Sequence, residues 1–113
     1  MDIDNVEIRL EEVVTLLKAL SNKRRLMILC ALCTQEQSVG ELEKKVNLSQ
    51  SALSQHLARL RRDGFVKTRR EAQTIFYSTD NPEICALMKS LNEIFMGGEP
   101  CPYLQDEQSV TDQ

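Results

Sequence analysis

A chain of 113 residues, 42% hydrophobic and 27% charged, is sized for one domain with a modest core. Aromatic residues make up 4% and Trp is absent, so Leu, Ile, Val and Met must fill that core. No stretch approaches a membrane span and the start lacks a basic-then-apolar leader, which places the protein in the cytoplasm. The net charge of −3 counts against indiscriminate binding to polyanions.

The first predicted helix runs from about Asp4 to Leu20. Leu10, Val13, Val14 and Leu17 form one apolar stripe, with Arg9, Glu11, Glu12 and Lys18 on other faces. Such a helix either covers its own core or packs on a second subunit; we take the second reading. A second helix begins near Ser21-Asn22, which supplies cap candidates, and is followed by Lys23-Arg24-Arg25. From Leu26 to Cys33 every residue is apolar, so this helix must be buried on several sides. Thr34 to Gln37 reads as a polar connection.

The stretch from Ser38 to Arg62 predicts two short helices around a tight turn. Ser38-Val39-Gly40-Glu41 has the spacing of a capping box, in which the Ser hydroxyl and Glu carboxylate accept from exposed backbone N–H groups. Leu42 and Val46 share a face, Asn47 is a left-handed stop, Leu48 fills the turn and Ser49 caps the next helix. In that helix Leu53, Leu57 and Leu60 form an i, i+4, i+7 stripe, while Ser51, Gln55, Ala58 and Arg62 point away from it. A core-backed helix with a small, amide and arginine outer face suits the DNA major groove. Small residues permit close approach, Gln can pair with a base edge, and Arg grips phosphate or guanine.

Asp63-Gly64 closes the helix. Phe65 to Arg70 and Thr74 to Ser78 are β-branched and aromatic runs joined by Glu71-Ala72-Gln73, a hairpin with a basic arm. Between Ser49 and Ser78 six basic residues face two acidic ones, so this window carries +4 and the remainder −7. Beyond it, Asp80-Asn81-Pro82 predicts a capped helix start with Pro at its first position. Ile84, Leu87, Met88, Leu91, Ile94 and Phe95 make an apolar face wider than one small core needs, which predicts a dimer seam with the first helix. Gly97-Gly98 ends that helix. The division expected is a winged, dimerising DNA-binding domain over 1–98 and a mobile tail, 99–113, containing Cys101.

Together these pieces resemble the winged helix-turn-helix repressors of the ArsR/SmtB family. The matching residues are the run from Leu20 to Leu29, Gly40-Glu41-Leu42, the Leu48-Ser49-Gln50-Ser51 and Leu53-Ser54-Gln55-His56-Leu57 run with Leu60, and Gly64-Phe65-Val66. The resemblance covers roughly residues 10 to 96. It implies a mainly α fold with a small β-hairpin, dimerised through first and last helices, bound to inverted-repeat operator DNA. Ser49, Gln50, Ser51, Ser54, Gln55, His56, Arg59 and Arg62 are the candidate contacts on the reading helix, with Arg69 and Arg70 on the wing. Ser54 and Gln55 are expected to read bases, and the arginines to hold phosphate.

Four cysteines, Cys30, Cys33, Cys85 and Cys101, in a chain without an export signal favour metal binding or redox sensing over structural disulfides. Many members of this family build metal sites from Cys on the helix before the reading helix, or from Asp and His on the last helix. Here residues 41–46 lack Cys and residues 81–96 lack His and Asp, so no metal and no cofactor are expected. Cys30, Cys33 and Cys101 leave open a soft-ion site for arsenite. The Ile28-Leu29-Cys30 run is similar to the second-helix cysteine of the thiol- and persulfide-responsive branch, of the BigR/SqrR and HlyU type. That likeness implies a redox switch between Cys30 and a cysteine at the end of the last helix, with a reactive sulfur species or oxidant as inducer. The chain departs from the pattern there, since Met96 follows Phe95 and the cysteine comes later as Cys101. Cys33 and Cys85 have no counterpart and are read as packing.

An enzyme is the competing class, but there is no Gly-rich phosphate loop, no nucleophile elbow and no His–Cys pair outside the reading helix. An HlyU-like anti-repressor or activator is the remaining alternative to a repressor.

Overall fold

The element on which the others pack is the second helix, whose apolar run is buried except along Leu26, Cys30 and Cys33, which are half-buried. A computed structural model describes residues 3–98 and gives the order α1 (Ile3–Leu20), α2 (Lys23–Thr34), β1 (Gln37–Ser38), α3 (Val39–Val46), α4 (Gln50–Arg62), β2 (Lys67–Glu71), β3 (Thr74–Ser78) and α5 (Pro82–Met96). The expected tail with Cys101 lies outside the described residues. In α2, Met27, Ile28, Leu29, Ala31 and Leu32 are buried and join Leu42, Val46, Leu53, Leu57, Leu60, Val66, Ile84 and Met88 in one core.

The helix ends follow the local chemistry. The Asn22 side chain accepts from the Arg24 and Arg25 N–H groups at the start of α2. At α3 the capping box is complete: Glu41 N–H donates to Ser38 Oγ at 3.3 Å and Ser38 N–H donates to Glu41 Oε1 at 2.8 Å. Asn47 ends α3 in the left-handed region, at φ 52°. Asn81 caps α5 ahead of Pro82, and Gly97 closes it at φ 65°.

Three features depart from the sequence reading. Gln37, expected in the polar connection, forms a short strand with Ser38: β1 pairs antiparallel with β3, Gln37 opposite Tyr77, giving the order β1-β3-β2. Gln37 is fully buried and its Nε2 donates to Ala31 O at 3.0 Å, capping a carbonyl of α2. The first wing strand starts later than expected, at Lys67, because Phe65 N–H closes α4 on Leu60 O and buried Val66 serves the core. The wing turn is tight, with Glu71 opposite Thr74 and Ala72 at φ 57°.

The third departure is covalent. Cys33 and Cys85, expected to pack as separate thiols, are joined in a disulfide with Cα atoms 5.6 Å apart. The bond ties the last turn of α2 to the first turn of α5. Cys30, one turn earlier, is half-buried with its Sγ 3.7 Å from Met88 Sδ.

Candidate nucleic-acid interface

The reading helix is positioned from beneath. Leu53, Leu57 and Leu60 are each at most 1% exposed, so the opposite face of α4 is fixed outward. Arg24 Nη1 donates to Val46 O at 2.8 Å, capping the end of α3 and holding the turn that launches α4. Arg25 is buried, donating from Nε to Ala19 O at 2.7 Å and from Nη2 to Lys18 O at 3.1 Å. The two basic residues at the start of α2 therefore act as caps for α3 and α1. Burial holds the Arg25 pKa below its ordinary value, and Arg59 adds repulsion.

On the outer face the structure brings most of the candidate contacts together. Ser49, Gln50, Ser51, Ser54, Gln55 and Arg62 are exposed, and Arg59 is half-buried beside Asp63. The Ser49 oxygen is occupied as the N-cap, accepting from Ala52 N–H at 3.2 Å, which leaves its proton to donate. His56 is half-buried on the flank of the stripe. Desolvation lowers its pKa first, and Arg25 and Arg59 lower it further, so all three favour the neutral imidazole.

The wing arginines differ in state. Arg69 is held by its own chain: Nε and Nη2 donate to Glu36 at 2.7–3.0 Å, Nη1 donates to Glu71 at 2.7 Å, and the guanidinium lies 4.7 Å over the Phe76 ring. Those carboxylates raise its pKa. It can reach a phosphate only by giving up these bonds. Lys67 is paired with Asp80 at 2.7 Å, which pulls the Asp80 pKa down. Arg70, Arg61 and Arg62 make no ion pair among the described residues. Arg61 was not singled out by the sequence reading, although its place one residue from Arg62 at the wing end of α4 was visible there.

Cys30 lines a groove of about 700 Å³ between α2 and α5, together with Leu26, Cys33, Cys85, Met88 and Phe95. No group of three His, Cys, Asp or Glu that could hold a metal ion occurs among the described residues. With Cys33 bonded to Cys85, the trio of Cys30, Cys33 and Cys101 considered for arsenite lacks one thiolate. Cys101 lies outside the described residues.

Among the described residues, two helices carry exposed apolar surface. Leu10, Val13, Val14 and Leu17 are exposed along α1, Leu17 at 53%. At the end of α5, Ile94, Phe95 and Met96 are exposed, Phe95 at 75%. No helix among the described residues is long and apolar enough to cross a membrane.

Residues 22–68 match the sequence profile described as "Bacterial regulatory protein, arsR family". The chain is similar to the transcriptional activator HlyU of Vibrio cholerae, 52% identical over 95 residues that cover 84% of this chain and 88% of that protein. The crystal structure of the transcriptional repressor BigR from Xylella fastidiosa superposes with a TM-score of 0.77 at 43% identity, covering 84% of this chain and 97% of that one. A homodimeric winged helix-turn-helix DNA-binding domain from Mycobacterium bovis superposes at 0.70 with 27% identity, covering 85% and 88%.

Proposed function

The chain belongs to the arsR family of bacterial regulatory proteins, a family of DNA-binding transcriptional regulators rather than enzymes, and on that premise we propose that it acts as a homodimeric repressor of an inverted-repeat operator. The observation that carries this reading is the outer face of α4. Its small, amide and arginine side chains stand free of the core while three leucines anchor the opposite side. Ser54 and Gln55 read base edges, and Arg62 and Arg70 hold phosphate directly; Arg59, beside Asp63, does so after leaving that partner. Ser49, Gln50, Ser51 and His56 flank them. Arg69 braces the wing against Glu36 and contacts phosphate only after exchange. The exposed faces of α1 and α5 form the dimer seam, and removing their large apolar side chains from water is the driving force.

The inducer in this reading is an oxidant or reactive sulfur species that links Cys30 to Cys101 and releases the dimer from DNA. Cys30 supports it by position, since it lies on the central helix and opens onto the α2/α5 groove. Cys101→Ser protein should then stay bound under persulfide; normal release would remove Cys101 from the switch.

The operator reading is tested by selecting duplexes from a random pool with the reduced protein and measuring variants on the winner. Gln55→Ala should relax preference at one base pair of each half-site by about 1–3 kcal/mol. Arg70→Ala should weaken all sequences alike. A change in preferred sequence on Arg70→Ala, or no enriched repeat in the pool, would overturn the assignment.

A further inference from the structure

We propose that Cys33 and Cys85 form a second, reversible thiol–disulfide couple, independent of Cys30 and Cys101, whose closed form holds the reading unit in its DNA-binding geometry. The proposal rests on the DNA-binding reading above but not on the Cys30–Cys101 switch. Its basis is the course of the chain between the two sulfurs. They are 52 residues apart in sequence, and the covalent ring they close contains β1, α3, α4 and both wing strands. Everything proposed to touch DNA therefore lies inside the ring, while both apolar seam surfaces, α1 and the end of α5, lie outside it. The bond sits where ring and seam meet: Cys33 in the last turn of the central helix, Cys85 in the first turn of the seam helix.

Two observations make this bond an exchangeable one rather than a sealed core staple. Both cysteines are half-buried, and both line the open groove between α2 and α5, where a small oxidant or reductant can reach them. Around the bond, α5 is held to α2 by non-covalent contacts of Ile84, Leu87, Met88 and Leu91 with the core. When the bond opens, no covalent link fixes the base of α5 on α2, which is left to those apolar contacts and the Cys30–Met88 sulfur contact. Shifts of about 1–2 Å at such a seam are enough to switch an assembly between states.

The chemistry balances with a hydroperoxide as the two-electron oxidant. One thiolate of the pair attacks the terminal peroxide oxygen and becomes a sulfenic acid, and the O–O bond breaks to release an alcohol, or water from hydrogen peroxide. The second thiolate attacks that sulfur, forming the S–S bond and expelling hydroxide, which leaves as water on protonation. A dithiol reductant reverses the couple by supplying two electrons and two protons and becoming a cyclic disulfide itself.

Closing the ring removes freedom from the reading unit before DNA arrives, so the oxidised form is expected to bind more tightly. That sign is opposite to the release assigned to Cys30 and Cys101, and it separates the two. The test uses the full-length Cys30→Ala, Cys101→Ser double variant with a duplex selected from a random pool. Protein treated with hydrogen peroxide should bind that duplex at least about fivefold more tightly than protein treated with dithiothreitol, reversibly. Adding Cys85→Ala should abolish the difference, and a melting curve confirms that this variant is folded; Cys33→Ala serves if it is not. Peptide mapping of the otherwise unaltered chain should show a 33–85 cross-link after peroxide, and both Cys33 and Cys85 alkylatable after native reduction. Equal affinity in the two states, tighter binding by the reduced state, or a bond that resists dithiothreitol in the folded protein would each overturn the proposal. Failure to select any duplex in either state would instead remove the DNA-binding reading beneath it.

Discussion

Replacing Arg25 by Met probes the contact that fastens the first helix to the rest of the molecule. Arg25 is 7% exposed and donates two hydrogen bonds, to Ala19 O at 2.7 Å and to Lys18 O at 3.1 Å. A hydrogen bond from a charged donor contributes about 1.5–3 kcal/mol, and leaving a buried carbonyl without its donor costs about 1–3 kcal/mol. Ala19 is fully buried, so its carbonyl cannot turn to water. Against this, Met matches the stem of Arg and removes a cation whose burial is unfavourable and lowers its pKa. The balance is a loss of about 2–4 kcal/mol. For a domain of this size that corresponds to a fall in Tm of roughly 10–25 °C. Circular dichroism melts should be run at one protein concentration, because association with a second subunit adds to apparent stability. Arg24→Met serves as the comparison: its half-buried bond to Val46 O is more easily replaced by water, and it should cost about 1–2 kcal/mol. If Arg25→Met melts within about 3 °C of the parent, or Arg24→Met is the more damaging, the capping account of the paired arginines is wrong.

Three further outcomes follow from the same structure. His56 has a folded pKa below its ordinary 6.5, so the unfolded chain binds more protons and stability should fall as pH drops through that value; His56→Gln should flatten the melts between about pH 5 and 7, and an unchanged profile would contradict the assignment. Ser38→Ala breaks the capping box of α3 and should cost about 1 kcal/mol in urea unfolding, with Ser38→Asp recovering most of it; equal losses in both would point to the β1 pairing instead. Leu17→Glu places a charge on the exposed stripe of α1 and should shift the protein toward monomer in analytical ultracentrifugation, whereas an undisturbed dimer would move the seam elsewhere.

What could be read from the sequence is what neighbouring residues encode. The caps at Asn22, Ser38, Ser49 and Asn81, the left-handed stop at Asn47 and the leucine stripe of α4 each rest on partners within a few residues, and each stands where it was expected. The exposed stripe of α1 was legible for the same reason. The features that escaped are held by partners far along the chain. Arg24 meets Val46 across 22 residues, Arg69 meets Glu36 across 33, and Cys33 meets Cys85 across 52. No local periodicity specifies those pairs. A half-buried cysteine also has the same sequence signature whether it packs or bonds. Gln37 was taken for connection because a two-residue strand is too short to show alternation.

The brace on the wing has a consequence for how the protein would move over DNA. With Arg69 occupied by Glu36 and Glu71, Lys67 by Asp80 and Arg59 beside Asp63, α4 and the wing keep, among the described residues, only Arg61, Arg62 and Arg70 outside intramolecular ion pairs. A dimer would then neutralise about six phosphates and set loose that many condensed counterions, a salt exponent near −5 rather than the roughly −11 that all its basic side chains would give. Between about 50 and 200 mM salt its affinity would drop on the order of a thousandfold, the shallow end of the range. Such a protein holds random DNA weakly at cellular ionic strength, so its time on the chromosome is spent mostly at sites where Gln55 and its neighbours find their bases.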